Sequence, residues 1–201
     1  MTIYYRSTIA SHLVHTLYGM WLSNDLRGSG STEIRKEDLD QLGPIHFGRK
    51  VIQRSRDELR EFYRRANPLL EHEPFWIDSA KRQAIADAYR EVVRACGYTL
   101  YALAICGNHT HELVRRHRDD AETMWWNFAT AARDELKRRD LVPYDHPVWS
   151  DRPYKVFVYT PEEMWGEIDY IEKNPLKEGL PRQYYDFVTP YDHWPLHKQR
   201  R

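Results

Sequence analysis

The sequence predicts an α+β domain built on one antiparallel sheet, and three observations predict it. A β-rich run, Tyr98 to Cys106, ends in the tight-turn dipeptide Gly107-Asn108 and leads directly into a second run, His109 to Arg116. Amphipathic helical stretches are interleaved with β-rich ones. The 201 residues suffice for one domain with a real core, burying about 70% of the extended chain's surface.

Residues 8–22 read as a first strand, rich in β-branched and aromatic residues. His12 and His15 lie an odd number of residues apart, so on a regular strand they face opposite ways and are not both assigned to one site. Residues 24–32 are a loop by composition, and 33–48 an irregular surface excursion. Residues 49–65 are helix-like and strongly basic, with Arg49, Lys50, Arg54, Arg56, Arg60, Arg64 and Arg65 against Asp57, Glu58 and Glu61. Two readings stand for it: a solvated face laced with ion pairs, or a helix that contacts phosphates.

Residues 78–96 form a helix capped by Asp78 or Ser79, with Ile85, Ala88, Tyr89, Val92, Ala95 and Cys96 at helical spacing and Gly97 as its stop. The two strands around Gly107-Asn108 follow. Arg115, Arg116, His117 and Arg118 make a basic cluster at the end of the second one. Asp119-Asp120 opens a helix to about Arg139, and Lys155–Tyr159 is a short fourth strand. Thr160-Pro161-Glu162-Glu163 is a strong helix start, with a Thr cap, Pro at the first position and Glu at the third. That helix has the core stripe Met164, Ile168 and Ile171, is expected to stop before Pro175, and is closed by Gly179-Leu180-Pro181. The first six elements match the split βαβ, ferredoxin-like pattern. The first strand and the His109–Arg116 strand are expected at the sheet's centre. The whole chain reads as one domain, with 28–77 as an insertion or a family-specific segment.

Composition narrows the class. Charged residues make up 30%, and the mean hydropathy is −0.78. No apolar run approaches the roughly 18 residues of a membrane span, and the N-terminus lacks a signal-peptide pattern. Cys96 and Cys106 make no disulfide framework and read as small buried hydrophobes, so the cytoplasm is the expected location. With 30 basic and 30 acidic residues the net charge is zero, which counts against a non-specific nucleic-acid coat but leaves room for local basic stripes.

The chemistry concentrates in Gly107-Asn108-His109-Thr110-His111-Glu112. Alternation puts His109, His111 and Leu113 on one face, where two imidazoles can grip one cation. Two solvent-facing histidines on an edge strand are the plainer alternative. Thr110 and Glu112 fall on the opposite face, where helices should pack unless that face is partly open. On the last helix, Tyr170 and Asn174 are four apart and share a face distinct from the Ile168/Ile171 stripe.

The segments GNHTHELV (107–114) and YIEKNPLKEGL (170–180) together resemble the signature of the HUH-type tyrosine transposases of single-stranded insertion sequences. They are closest to their REP-associated tyrosine transposase relatives. The Trp149-led run to Val158 and the segment Leu17 to Ser29 are similar to parts of that family as well. The resemblance covers roughly residues 8–27 and 85–197.

It implies a metal-dependent enzyme that cleaves and rejoins single-stranded DNA near hairpins through a 5′-phosphotyrosine intermediate. Tyr170 would be the nucleophile. His109, His111 and Asn174 would hold Mg²⁺ or Mn²⁺. Arg115, Arg116, Arg118, Arg49, Lys50 and Arg54 would be candidates for DNA phosphates. The implied partner is hairpin-bearing single-stranded DNA, with a homodimer or a monomer both open and a nucleoid-associated location. Two further readings remain: a domesticated, non-catalytic hairpin-binding protein, and a phosphodiesterase that uses water.

Overall fold

The computed structural model describes residues 7–28, 37–44, 54–150 and 154–195. Arg49 and Lys50 lie outside them. The chain divides into two compact units, residues 1–15, 77–145 and 153–201, and residues 16–76 with 146–152. No helix among the described residues is long and apolar enough to cross a membrane.

The first unit carries a four-stranded sheet of β1 (Ala10–Thr16), β2 (Leu100–Ile105), β3 (His109–Arg115) and β4 (Tyr154–Val158) in the order β2-β3-β1-β4. β1 and β3 are central, as expected. β2 pairs antiparallel with β3, and β1 antiparallel with β4. The register places Ala104 opposite His111 and Leu103 opposite Glu112, so one face of β3 carries the histidines and the other carries Thr110 and Glu112.

Helices cover both faces. Numbering helices along the chain, α1 (Arg56–Ala66) belongs to the second unit, while α2 (Ser79–Cys96), α3 (Ala121–Arg138) and α4 (Pro161–Lys177) belong to the first. α4 covers the histidine face, burying Met164, Ile168 and Ile171 in one cluster with Ala102, Ala104, Leu113 and Val158. α2 and α3 lie on the Glu112 side, where Tyr89 and Trp125 are wholly buried.

That side is closed, not partly open. Glu112 is fully buried and accepts from His15 Nδ1 at 2.8 Å, while His15 Nε2 meets the Trp125 carbonyl at 2.9 Å and stacks on the Trp125 ring. Thr110 shares a 3.1 Å hydrogen bond with the Tyr89 hydroxyl. The polar groups that look out of place in the sequence thus find partners in the core, although Glu112 Oε1 has no hydrogen-bond partner among the described residues.

Three boundaries differ from expectation. β1 stops at Thr16 instead of continuing to residue 22. In the second unit Gly19 has φ +81°, and a Cβ there would sit 2.9 Å from the Pro74 Cβ; Trp21 also adopts positive φ, so the chain bends instead of extending.

α4 runs through Pro175 to Lys177. Pro175 lies in the last turn, where its missing N–H removes a single bond near the helix end. The end is then closed as a Schellman motif, with Gly179 at φ +75°, Gly179 N–H on the Leu176 carbonyl and Leu180 N–H on the Pro175 carbonyl.

In the second unit, α1 starts later than the basic stretch suggests, at a capping box of Ser55 and Glu58. Its arginines pair along their own helix: Arg54 with Glu58, Arg60 with Asp57 and Arg64 with Glu61. Asp25 is wholly buried and holds Arg27 and the Tyr63 hydroxyl.

The buried His15–Glu112 pair yields a test. His15→Leu leaves Glu112 buried without this partner and should cost about 3–5 kcal/mol. The double variant His15→Leu/Glu112→Leu should recover a large part of that in urea unfolding. A double variant as unstable as the sum of the two singles would contradict the coupling.

Candidate metal and nucleophile site

β3 and α4 build the site, with β1 beside them. His109 and His111 stand T-shaped with ring centroids 4.6 Å apart, which follows from their i, i+2 placement on one strand face. Tyr170 on α4 faces them. Its ring centroid is 5.6 Å from that of His111 and 6.1 Å from that of His12. Tyr170 is 45% exposed, so solvent and a substrate can reach the ring from outside. Asn174 differs from expectation: it is buried with the Ile168/Ile171 stripe, its amide donates to the Tyr170 carbonyl at 3.0 Å, and it also interacts with His109. The four residues singled out on the two motifs therefore converge in the first unit.

Each histidine has its Nδ1 occupied. His109 Nδ1 lies 2.6 Å from Asn108 Oδ1, an acceptor, and 3.6 Å from a Glu178 carboxylate oxygen. His111 Nδ1 lies 2.8 Å from His12 Nε2. His111 Nε2 is buried and has no hydrogen-bond partner among the described residues. A buried polar atom without a partner is costly, so this orphan favours a missing electrophile at that place. Two imidazoles suit a transition-metal cation and a side-chain amide oxygen a harder one such as Mg²⁺ or Mn²⁺, so the mixed donors fit a divalent cation without selecting one.

The electrostatics agree. Burial, reinforced by His109 and His12, pushes the His111 imidazole well below its ordinary value. Burial also lowers His109, against the pull of Glu178. Neutral imidazoles are the ligating form.

Three residues near these motifs were not singled out in the sequence. Lys177 places its ammonium 4.4 Å from the Tyr170 ring centroid. Glu178 bonds the Gly107 N–H at 2.8 Å, tying the end of α4 to the β2–β3 turn. Glu167 accepts from His12 Nδ1 at 2.7 Å, and this bond holds its carboxyl below the usual range. The helical offsets from Tyr170 are the one signal that was available: Glu167 is three residues before it and Lys177 seven after, both on neighbouring faces.

Cys106, His109 and Glu178 also cluster closely enough to hold an ion. Cys106 is fully buried, however, and burial first, then Glu178, pushes its thiol up to about 12. Thiolate is the ligating form of cysteine, and a bound cation itself favours that form, so this cluster and the His109/His111 pair are both candidates for an ion.

The basic cluster lies elsewhere. Arg115 is six residues along β3 from His109, about 20 Å away. The Arg115 and Arg116 guanidinium groups stack over Trp194 at 5.4 and 5.2 Å, and Arg118 pairs loosely with Asp119 at 3.7 Å.

No known protein-family profile matches the chain, and no curated protein does. Among solved structures, a REP-associated tyrosine transposase bound to a REP hairpin overlaps 96% of this chain and 96% of its own, at 14% identity and a TM-score of 0.46. A candidate transposase from Deinococcus radiodurans R1 overlaps 86% of this chain and 95% of its own, at 11% identity and a TM-score of 0.41.

The lowered imidazoles set a pH dependence. Below about pH 6.5 the unfolded chain binds protons at these histidines that the folded chain refuses. Their contribution is therefore intact above that pH and is lost as pH falls. Urea midpoints should drop between about pH 7.5 and about pH 5, and drop less in His111→Gln. An equal drop in both proteins would contradict the assignment.

Proposed function

We propose that the protein is a metal-dependent single-stranded DNA strand transferase whose nucleophile is Tyr170. The observation that carries this reading is the convergence of Tyr170 with a buried, unpartnered His111 Nε2, with ring centroids 5.6 Å apart. The motif resemblance supplies the reaction class.

A divalent cation, Mg²⁺ or Mn²⁺, held by His109, His111 and Asn174, would polarise the scissile phosphate and neutralise its developing charge. Tyr170 supplies the attacking oxygen. Its hydroxyl gives up a proton as the new phosphorus–oxygen bond forms, the bond to the 3′ oxygen breaks, and that oxygen takes a proton. The 5′ phosphate stays on Tyr170 as a phosphotyrosine. Because one phosphodiester is exchanged for another, a 3′ hydroxyl can reverse the step without ATP, and the phenolate leaves more readily than a sugar alkoxide. The Lys177 ammonium beside the ring offsets the phenolate's negative charge. Asn174 anchors to the turn of α4 that carries Tyr170, so nucleophile and third ligand move as one piece.

The substrate class is single-stranded DNA with a hairpin nearby. Arg115, Arg116, Arg118 and Arg54 are the described candidates for phosphate contacts, and Arg49 and Lys50 belong to the same proposal. The Arg115–Arg116 cluster with Trp194 also offers a stacking surface.

Labelled hairpin-bearing single strands from the gene's flanks, incubated with protein and Mn²⁺ and run on a denaturing gel, test this. Wild type should give a protein–DNA adduct that EDTA abolishes and Tyr170→Phe lacks. Binding on a native gel with no adduct would point to the non-catalytic hairpin-binding reading. Cleavage without an adduct, equal in both proteins, would make water the nucleophile.

A further inference from the structure

His12 on β1 and Glu167 on α4 continue the site away from His111. The Glu167 carboxylate meets His12 Nδ1 at 2.7 Å, and His12 Nε2 meets His111 Nδ1 at 2.8 Å. His12 is 3% exposed, and the Glu167 side chain 27%. These contacts fix where the protons sit. A carboxylate only accepts, so His12 Nδ1 carries a hydrogen. In a neutral imidazole the other nitrogen is then a lone pair, so His12 Nε2 accepts and His111 Nδ1 donates. His111 Nε2 is thereby left as a lone pair, and it is the atom with no partner. On the neighbouring ring, Asn108 Oδ1 imposes the same arrangement by accepting from His109 Nδ1.

We propose that Glu167 and His12 are positioning residues that hold His111 in the Nδ1–H tautomer, with its Nε2 lone pair presented to a divalent cation. The proposal rests on His109 and His111 being the ligands. It goes beyond that by extending the site through two residues that touch neither metal nor substrate. Outer partners of this kind fix the ring orientation and raise ligand basicity. Glu167 sits three residues before Tyr170 on α4. One helix therefore delivers the nucleophile and orients a ligand on the sheet, and the ligand set is complete only while α4 is docked.

Mn²⁺ titrated into the full chain, followed by calorimetry and by the electron paramagnetic resonance of the free ion, tests this without reference to activity. Glu167→Leu and His12→Phe should weaken Mn²⁺ binding about 10–100-fold. Glu167→Gln should lose less, because its carbonyl still accepts from His12. Nitrogen-15 NMR of the metal-free chain should find His111 in the Nδ1–H tautomer in wild type, and a mixture in Glu167→Leu. Glu167 is partly exposed, so its variants remain informative if His12→Phe does not fold. Equal Mn²⁺ affinity across folded variants, or an Nε2–H tautomer of His111 in wild type, would overturn the positioning role alone. Failure of the wild type to bind Mn²⁺ would overturn the metal reading, and this proposal with it.

Discussion

The alternation of side chains along β3 is the constraint on which the rest depends. Successive residues of a strand must face opposite ways. In this strand one face carries His109, His111 and Leu113, and the other Thr110, Glu112 and Val114. The sheet is covered on both sides, so both sets are confined. On one side α4 brings Tyr170, Asn174 and Glu167 against the histidines. On the other, α2 and α3 bury Glu112 with His15 and Thr110 with Tyr89. A one-residue slip in register would exchange the two sets and undo both. The polar pairing in the core therefore does more than tolerate Glu112: it penalises any register that would displace His109 and His111.

The same rule acts on β1. Its odd spacing sends His12 to the ligand side and His15 to the core side, so each neighbouring strand residue finds a partner of matching chemistry. The site is layered: Tyr170, His109 and His111 in front, His12 and Glu167 behind His111, Asn108 and Glu178 behind His109. Two carboxylates of that outer layer come from α4 or its C-terminal end. The helix that carries Tyr170 is thus tied to the histidines by hydrogen bonds as well as by its Ile168/Ile171 face.

Much of this arrangement was legible in the sequence, because it follows from short-range periodicity. The two strands about Gly107-Asn108, the capped helix from Thr160 and the central place of β1 and β3 all follow from patterns a few residues long. What was not legible depends on pairings between distant positions. Glu112 looks like a polar intrusion until His15, 97 residues away, is placed against it. His12 has no evident role until Glu167, 155 residues away, is known to lie beside it. Helical spacing alone puts Asn174 with Tyr170 on a face distinct from the Ile168/Ile171 stripe, whereas the fold buries it. The helix end was misplaced at Pro175, because a proline stop is a local rule and the closure by Gly179 and Leu180 satisfies the last turn regardless.

The account's central claim is that His109 and His111 present their Nε2 atoms to one cation beside Tyr170. A crystal structure of the protein grown with Mn²⁺, with anomalous scattering measured at the manganese edge, tests it most directly. The account predicts a single strong peak within about 2.3 Å of both Nε2 atoms, with Tyr170 close by. A peak against Cys106, the Nδ1 side of His109 and Glu178, or no peak at either place at saturating Mn²⁺, would contradict it.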